Sequence, residues 1–366
     1  MTGKDRMTTA VHRGIPDRLP VTVHQWQPYH LQHHMDGMDQ VEAFDATGLD
    51  AAVTPTDVLE MVQTPRWRHD CRDMPARNGW RMMAHKVDTP GGELCWSTAT
   101  NQYTTFYDEH PLKDRADAQR FARYWPGQRL NSARLNWWYD RTGDRGIVRG
   151  FVTSFVQPGP WQELCELAGT EKAILWAMDE PAFVHDFLDR MTATKVAYVH
   201  DQLAGARFDL IEHGGGAASS TVISPRMFDE FCVPYDRRII DALHEVGLPV
   251  VYHTCGGMMA ILDLIPANGC DASETLSPPQ VGGDIEPNDR RTVKQRLGSR
   301  VALIGGIDQG DLLTHGSPAQ IEDHVRACFE SFGEQGGYIC CPSDRFFETP
   351  VQNLRELAEA AKTCRY

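Results

Sequence analysis

No apolar run in this 366-residue sequence approaches the ~20 residues that a bilayer span needs, so no transmembrane helix is expected. Met1 to Arg13 is polar and lacks the apolar stretch of a secretory signal. Basic residues are in short supply: 36 Lys and Arg stand against 50 Asp and Glu, a formal charge of −14. A surface this acidic repels phosphate backbones and anionic lipid, so neither nucleic acid nor a membrane is expected as partner. The ten cysteines are scattered through apolar and helical contexts rather than evenly spaced in a short chain. They read as reduced thiols, and the expected setting is cytoplasmic. No Gly-x-Ser-x-Gly elbow occurs, and the glycines at 214–216 lack the spacing and lysine of a phosphate loop. There is no internal repeat and no low-complexity stretch. With 41% apolar and 23% charged residues, the composition is that of an ordinary globular protein.

What is present is an alternation. Short apolar or β-branched runs fall at 19–23, 51–54, 147–152, 209–212, 249–252, 271–275, 301–304 and 337–341. Helical patterns lie among the later ones, at 180–203, 225–245, 257–268, 289–297, 318–332 and 351–362. Eight such units in one chain predict a single α/β domain over 1–366, a (β/α)8 TIM barrel, with a doubly wound sheet as the competitor. Residues 66–146 break the rhythm and hold Trp67, Trp80, Trp96, Trp125, Trp137 and Trp138. Within this aromatic-rich insertion after the second strand, 80–87 and 93–100 alternate around Pro90-Gly91-Gly92, which predicts a β-hairpin. Such an excursion serves as a lid or substrate platform at the catalytic face, or as a dimer contact.

The sharpest chemical signal is Tyr252-His253-Thr254-Cys255-Gly256-Gly257, where a strand runs into His-x-Cys-Gly-Gly. Side chains two apart on an extended segment share a face, so His253 and Cys255 can address one ion at the carboxyl end of a barrel strand. A packed His and Cys is the competing explanation. A second cluster, Cys340-Cys341-Pro342-Ser343-Asp344, ends the last predicted strand and can reach the same mouth. Regular alternation lets only one of Cys340 and Cys341 point inward. Asp57, Glu212, His213, Glu274 and Asp308 also collect at strand ends. Each is a candidate for catalysis, for a helix cap or for a loop contact.

Several segments together carry a resemblance. Arg13-Gly14-Ile15-Pro16-Asp17-Arg18, Thr56-Asp57-Val58-Leu59, Ile223-Ser224-Pro225-Arg226-Met227-Phe228 and Gly336-Gly337-Tyr338-Ile339 resemble the uroporphyrinogen decarboxylase superfamily, whose members are (β/α)8 barrels. True decarboxylases carry an early arginine-rich segment that holds porphyrinogen carboxylates. The comparable stretch here, His24-Gln25-Trp26-Gln27-Pro28-Tyr29, has no arginine. The tyrosine that decarboxylases place after the third strand is also missing from 160–166. His253-Thr254-Cys255-Gly256 is similar instead to the mark of the zinc-dependent corrinoid methyltransferase branch. That resemblance implies zinc on His253 and Cys255, with a distant third ligand. Asp344 matches the family position, and Cys341 is favoured as the softer donor. The chain has no Asp-x-His-x-x-Gly element for holding cobalamin, so the corrinoid is expected on a partner protein. The expected activity is methyl transfer between that partner and a small methylated or methoxylated compound, or a thiol or folate acceptor. Asp57, His213 and Glu274 are the expected catalytic residues. A decarboxylase or lyase, with Asp57 stabilising charge, and a catalytically silent barrel are the alternatives. Self-association is left open.

Overall fold

The computed structural model of the chain describes residues 1–152 and 158–366. Its centre is a curled, all-parallel seven-stranded sheet, so the fold is α/β and barrel-like. The chain first forms β1 (Ala51–Val53) and then leaves the sheet on an excursion. The excursion contains β2 (Leu59–Met61), β3 (Arg68–Arg77), β4 (Trp80–Thr89), β5 (Gly92–Thr100), β6 (Thr105–Glu109) and β7 (Gln128–Leu130). The sheet resumes with β8 (Gly146–Phe151), β9 (Leu210–Gly214), β10 (Val250–His253), β11 (Ala272–Thr275), β12 (Ala302–Ile307) and β13 (Tyr338–Pro342). Sheet order is β1-β8-β9-β10-β11-β12-β13, with every pair parallel. Almost every residue of these strands is buried, which is why several of them read as continuous apolar runs rather than as alternations.

The run at 19–23 sits between the two outer strands. Val21 bridges Cys340 in parallel, the Cys340 N–H donates to the Pro20 carbonyl at 2.9 Å, and the Thr22 N–H donates to the Cys340 carbonyl at 3.0 Å. On the other side the Asp50 N–H donates to the Val21 carbonyl at 2.8 Å. The segment is a bridge rather than a full strand because Pro20 has no N–H to add to the ladder.

Helices clothe the outside, among them Pro160–Ala168, Pro181–Tyr198, Val233–Glu245, Pro318–Phe332 and Val351–Thr363. The predicted helix at 257–268 is absent. Two short 3-10 turns, Met259–Ile261 and Ile265–Asn268, stand in its place. Pro266 removes an N–H from the last turn of that pattern, and its ring crowds the carbonyl four residues back.

In the excursion, β3 to β6 form a four-stranded antiparallel sheet, and β2 pairs with β7. Segments 80–87 and 93–100 pair antiparallel, with Val87 opposite Leu94. The outer strand β3 is almost wholly exposed and carries Arg68, Asp70, Arg72, Asp73, Pro75 and Arg77. Charge and proline on an edge strand discourage pairing with another chain.

Candidate metal centre

Strand alternation gathers five charged or titratable side chains inside the curled sheet. His24, Arg149, Glu212, His253 and Glu274 are each at most 6% exposed. Their chain neighbours point the other way. The His213 Nε2–H donates to Asp236 Oδ1 at 2.8 Å and the Tyr252 hydroxyl to Asp236 Oδ2 at 2.7 Å. Asp236 belongs to the outer helix Val233–Glu245, so His213 and Tyr252 face outward while Glu212 and His253 face in. This sets His213 apart from the other expected catalytic residues and makes it part of a sheet-to-helix hydrogen-bond network.

Arg149 is the hub of the inner group. Its Nη2 donates to Glu212 Oε2 at 2.9 Å and to both oxygens of Glu274, at 2.8 and 3.0 Å. Burial alone would raise the Glu274 carboxyl, but Arg149 and His24 outweigh it and hold it well below the ordinary range. His24 Nε2 lies 3.4 Å from Glu212 and 3.3 Å from Glu274. Burial opposes its charge, yet the two carboxylates push it up to about 9, so it is protonated at neutral pH. Two cations therefore face two carboxylates.

His253 joins this floor to the space above it. Its Nδ1–H donates to Glu274 Oε1 at 3.0 Å, which turns Nε2 away from the floor. That Nε2 is buried with no oxygen or nitrogen partner, and against the cost of burial Cys255, then Glu274 and Glu212, raise the imidazole well above its ordinary value. A nitrogen of His253, Cys255 Sγ and an Asp344 carboxylate oxygen lie within 4.8 Å of one another. An orphaned, buried imidazole nitrogen beside a thiol and a carboxylate, braced from behind by a second carboxylate, suits a zinc ligand set. Glycine makes the room. A Cβ on Gly216 would lie 2.5 Å from Cys255 Sγ. Gly256 turns the chain at φ +105°, where a Cβ would lie 2.8 Å from the hydroxyls of Ser219 and Thr221.

The third corner of this triangle is Asp344, where donor softness favours Cys341. Cys341 does point inward, but it sits against the floor, where Glu274, Arg149 and Asp344 act on it. Burial, then Glu274, push its thiol well above the ordinary value. Cys340 faces outward, towards Cys328, Tyr338 and Cys364. Asp57 is engaged by the helix Ser132–Thr142: Arg134 Nε donates to its carboxylate at 2.6 Å and Trp138 Nε1 at 2.8 Å. Its side chain is 47% exposed. Asp308 accepts the N–H groups of Gly310 and Asp311 at 2.7 and 3.2 Å and caps the helix Asp311–His315. The sequence names neither Arg149 nor His24 as a site residue. A lone arginine in an otherwise apolar buried strand is the signal for the first, since such a charge must find partners.

The sequence model of the uroporphyrinogen decarboxylase (URO-D) family matches residues 141–364, more than half of the chain, and the chain belongs to that family. It is 28% identical over 204 residues to the methylated-thiol–coenzyme M methyltransferase of Methanosarcina mazei, a match covering 56% of this chain and 51% of that one. The uroporphyrinogen decarboxylase of Hordeum vulgare is 26% identical over 295 residues, covering 76% of this chain and 80% of its own. That of Aliivibrio salmonicida is 33% identical over 162 residues, covering 43% and 41%. The chain thus spans about half the length of the methyltransferase relative and less of the bacterial decarboxylase. A solved methyltransferase from Methanosarcina mazei shares the fold, with a TM-score of 0.67 over 99% of both chains at 16% identity.

Proposed function

We propose that the protein is a zinc-dependent methyltransferase, built on a closed (β/α)8 barrel. It moves a methyl group between a small methylated or methoxylated compound, or a thiol or folate acceptor, and cobalamin carried by a separate corrinoid protein. The observation that carries this reading is the unpartnered, buried Nε2 of His253, aimed away from Glu274 into the company of Cys255 and Asp344. His30 and His213 also keep one buried ring nitrogen without a partner, but neither has a thiol and a carboxylate gathered beside it as His253 does. His253, Cys255 and Asp344 would hold zinc and leave a fourth position open. Zinc there supplies Lewis acidity, for ionising a thiol near neutral pH or for easing a methyl group off an ether or amine. Glu274 fixes the His253 tautomer and ring, Arg149 keeps Glu274 ionised, and Gly216 keeps space clear at the sulfur.

The relationship to the methylated-thiol–coenzyme M methyltransferase supports methyl transfer. Decarboxylase relatives also align with the chain, but that chemistry needs Asp57 turned to a substrate. Here its carboxylate is taken up by Arg134 and Trp138. Among the described residues no helix is long and apolar enough to cross a membrane. Work in the cytoplasm is part of the proposal.

Zinc-edge X-ray absorption of the purified protein tests the ligand set. One sulfur and one nitrogen, completed by oxygen, is expected; two sulfurs would return Cys341 to the centre. Cys255→Ser and Asp344→Asn should each lower zinc occupancy, and Cys341→Ser should keep it. Mixing with methylcobalamin or cob(I)alamin and candidate methyl compounds should change the corrinoid absorption spectrum. A preparation that takes up no stoichiometric zinc would refute the reading.

A further inference from the structure

A cavity of about 690 Å³ lies between the antiparallel sheet of the excursion and the helix Pro160–Ala168, well within the range of small-molecule sites. One wall is made by His69 on β3, His85 on β4 and Trp96 on β5. Their ring centroids are 5.4, 5.2 and 5.1 Å apart pairwise, with interplanar angles of 20°, 15° and 6°. A column of three rings would put its ends at twice the spacing. Three near-equal separations between near-parallel rings instead describe a compact cluster of mutually stacked, offset rings. The rings are locked: His69 Nε2 meets His85 Nδ1 at 3.2 Å, and His85 Nε2 meets Thr98 Oγ1 at 3.0 Å. Burial lowers both imidazoles from their ordinary value, so the surface is uncharged at neutral pH.

Arg345 lines the cavity and supplies its one fixed positive charge. Among the described residues its guanidinium has no ion-pair partner. Glu166, also on the lining, is pushed up to about 7 by burial, a rise that Arg345 partly opposes, so the two groups face each other across the cavity with Glu166 only partly charged. The cavity adjoins the metal centre on two sides. Arg345 directly follows Asp344, and Gln162 on the lining accepts the N–H of Ala217 at 2.6 Å, next to the glycine that clears Cys255.

We propose that this cavity is the substrate pocket and that it takes a planar aromatic carboxylate, its ring against the His69, His85 and Trp96 cluster and its carboxylate on Arg345. Guanidinium and carboxylate match as planar, bidentate partners. This assignment rests on the methyl-transfer reading and narrows its substrate class.

Calorimetric titration of the full-length, zinc-loaded protein with 4-methoxybenzoate tests it. Saturable 1:1 binding is expected, at least 10-fold tighter than for cyclohexanecarboxylate, which lacks the flat ring, or 4-methoxybenzylamine, which reverses the charge. Arg345→Gln, at an exposed position, should weaken 4-methoxybenzoate about 10-fold and leave zinc content unchanged. Trp96→Leu, checked for retained fold by circular dichroism, should do the same. Equal binding of the saturated or cationic analogue, or an Arg345→Gln variant that binds as the parent does, would overturn the proposal. Binding that holds without any methyl transfer supports the pocket and counts against the methyl-transfer reading. Zinc-dependent transfer from another donor, with no binding of 4-methoxybenzoate, overturns the pocket alone.

Discussion

Replacing Arg149 by methionine should destabilise the protein, and removing a second charge should then stabilise it again. In the parent, Arg149 and protonated His24 face the carboxylates of Glu212 and Glu274, all four buried. The guanidinium makes three contacts of 2.8 to 3.0 Å through one nitrogen. Arg149→Met leaves one cation against two carboxylates in a site that water does not reach. Breaking a buried pair in this way costs about 3–5 kcal/mol, because the abandoned charge cannot be rehydrated. Adding Glu212→Gln restores one cation to one anion. Contacting groups in one network couple by roughly 1–3 kcal/mol, so the double variant should be more stable than the single one. Urea unfolding followed by tryptophan fluorescence reads this directly. With a slope of about 3 kcal/mol per molar, the Arg149→Met midpoint should fall by roughly 1 M or more, and the double variant should recover part of the fall. A double variant no more stable than Arg149→Met would refute the claim that charge balance holds this floor together.

Three further outcomes follow from the same geometry. Gly216→Ala puts a methyl group 2.5 Å from Cys255 Sγ and should lower zinc affinity at least 10-fold, roughly the effect of disturbing a ligand's support, with far-ultraviolet circular dichroism unchanged. His30, fully buried with its Nε2–H on the Thr349 carbonyl at 2.8 Å, is pushed by burial from 6.5 down to about 4. Only the unfolded chain takes up that proton between pH 6.5 and 4, so up to about 3 kcal/mol of stability present above pH 6.5 is lost as the pH falls to 4; His30→Gln should flatten the urea midpoint across that window. Asp57→Asn breaks a half-exposed ion pair with Arg134 and should change stability by about 1 kcal/mol or less, with zinc content intact; loss of zinc on direct assay would put Asp57 back beside the metal.

Several parallel strands are legible in the sequence because burial on both faces makes them mainly apolar, without a break at 301–304 and with a single charge at 147–152. The same feature hides Arg149, whose single charge is swamped by its apolar neighbours. Alternation says that Glu212 and His213 face opposite ways but not which of them faces in. That choice is made by Asp236 on the covering helix, which is 23 residues further along the chain from His213. A similar limit separates Cys341 from Asp344. Facing inward is a property of the strand, whereas height above the floor depends on how the chain beyond Pro342 folds back. His253 and Cys255 are visible together because two residues on one extended segment share a face whatever the rest of the chain does.

Charge also decides which of two crowded groups is suited to an ion. His24, Glu212, His253 and Glu274 offer ligand atoms within 4.8 Å of one another, as His253, Cys255 and Asp344 do. In the first group the two carboxylates are already matched by Arg149 and by protonated His24, so a divalent cation there would add two uncompensated charges to a buried site. In the second, a cysteine and an aspartate acting as ligands bring two negative charges, which a divalent cation would cancel while taking the place of a proton on the imidazole. His253 serves both layers through different nitrogens: Nδ1 belongs to the balanced floor and Nε2 to the ligand triangle. The floor needs no metal to be neutral, and it keeps Glu274 ionised to receive the Nδ1 proton. That contact turns Nε2 towards Cys255 and Asp344.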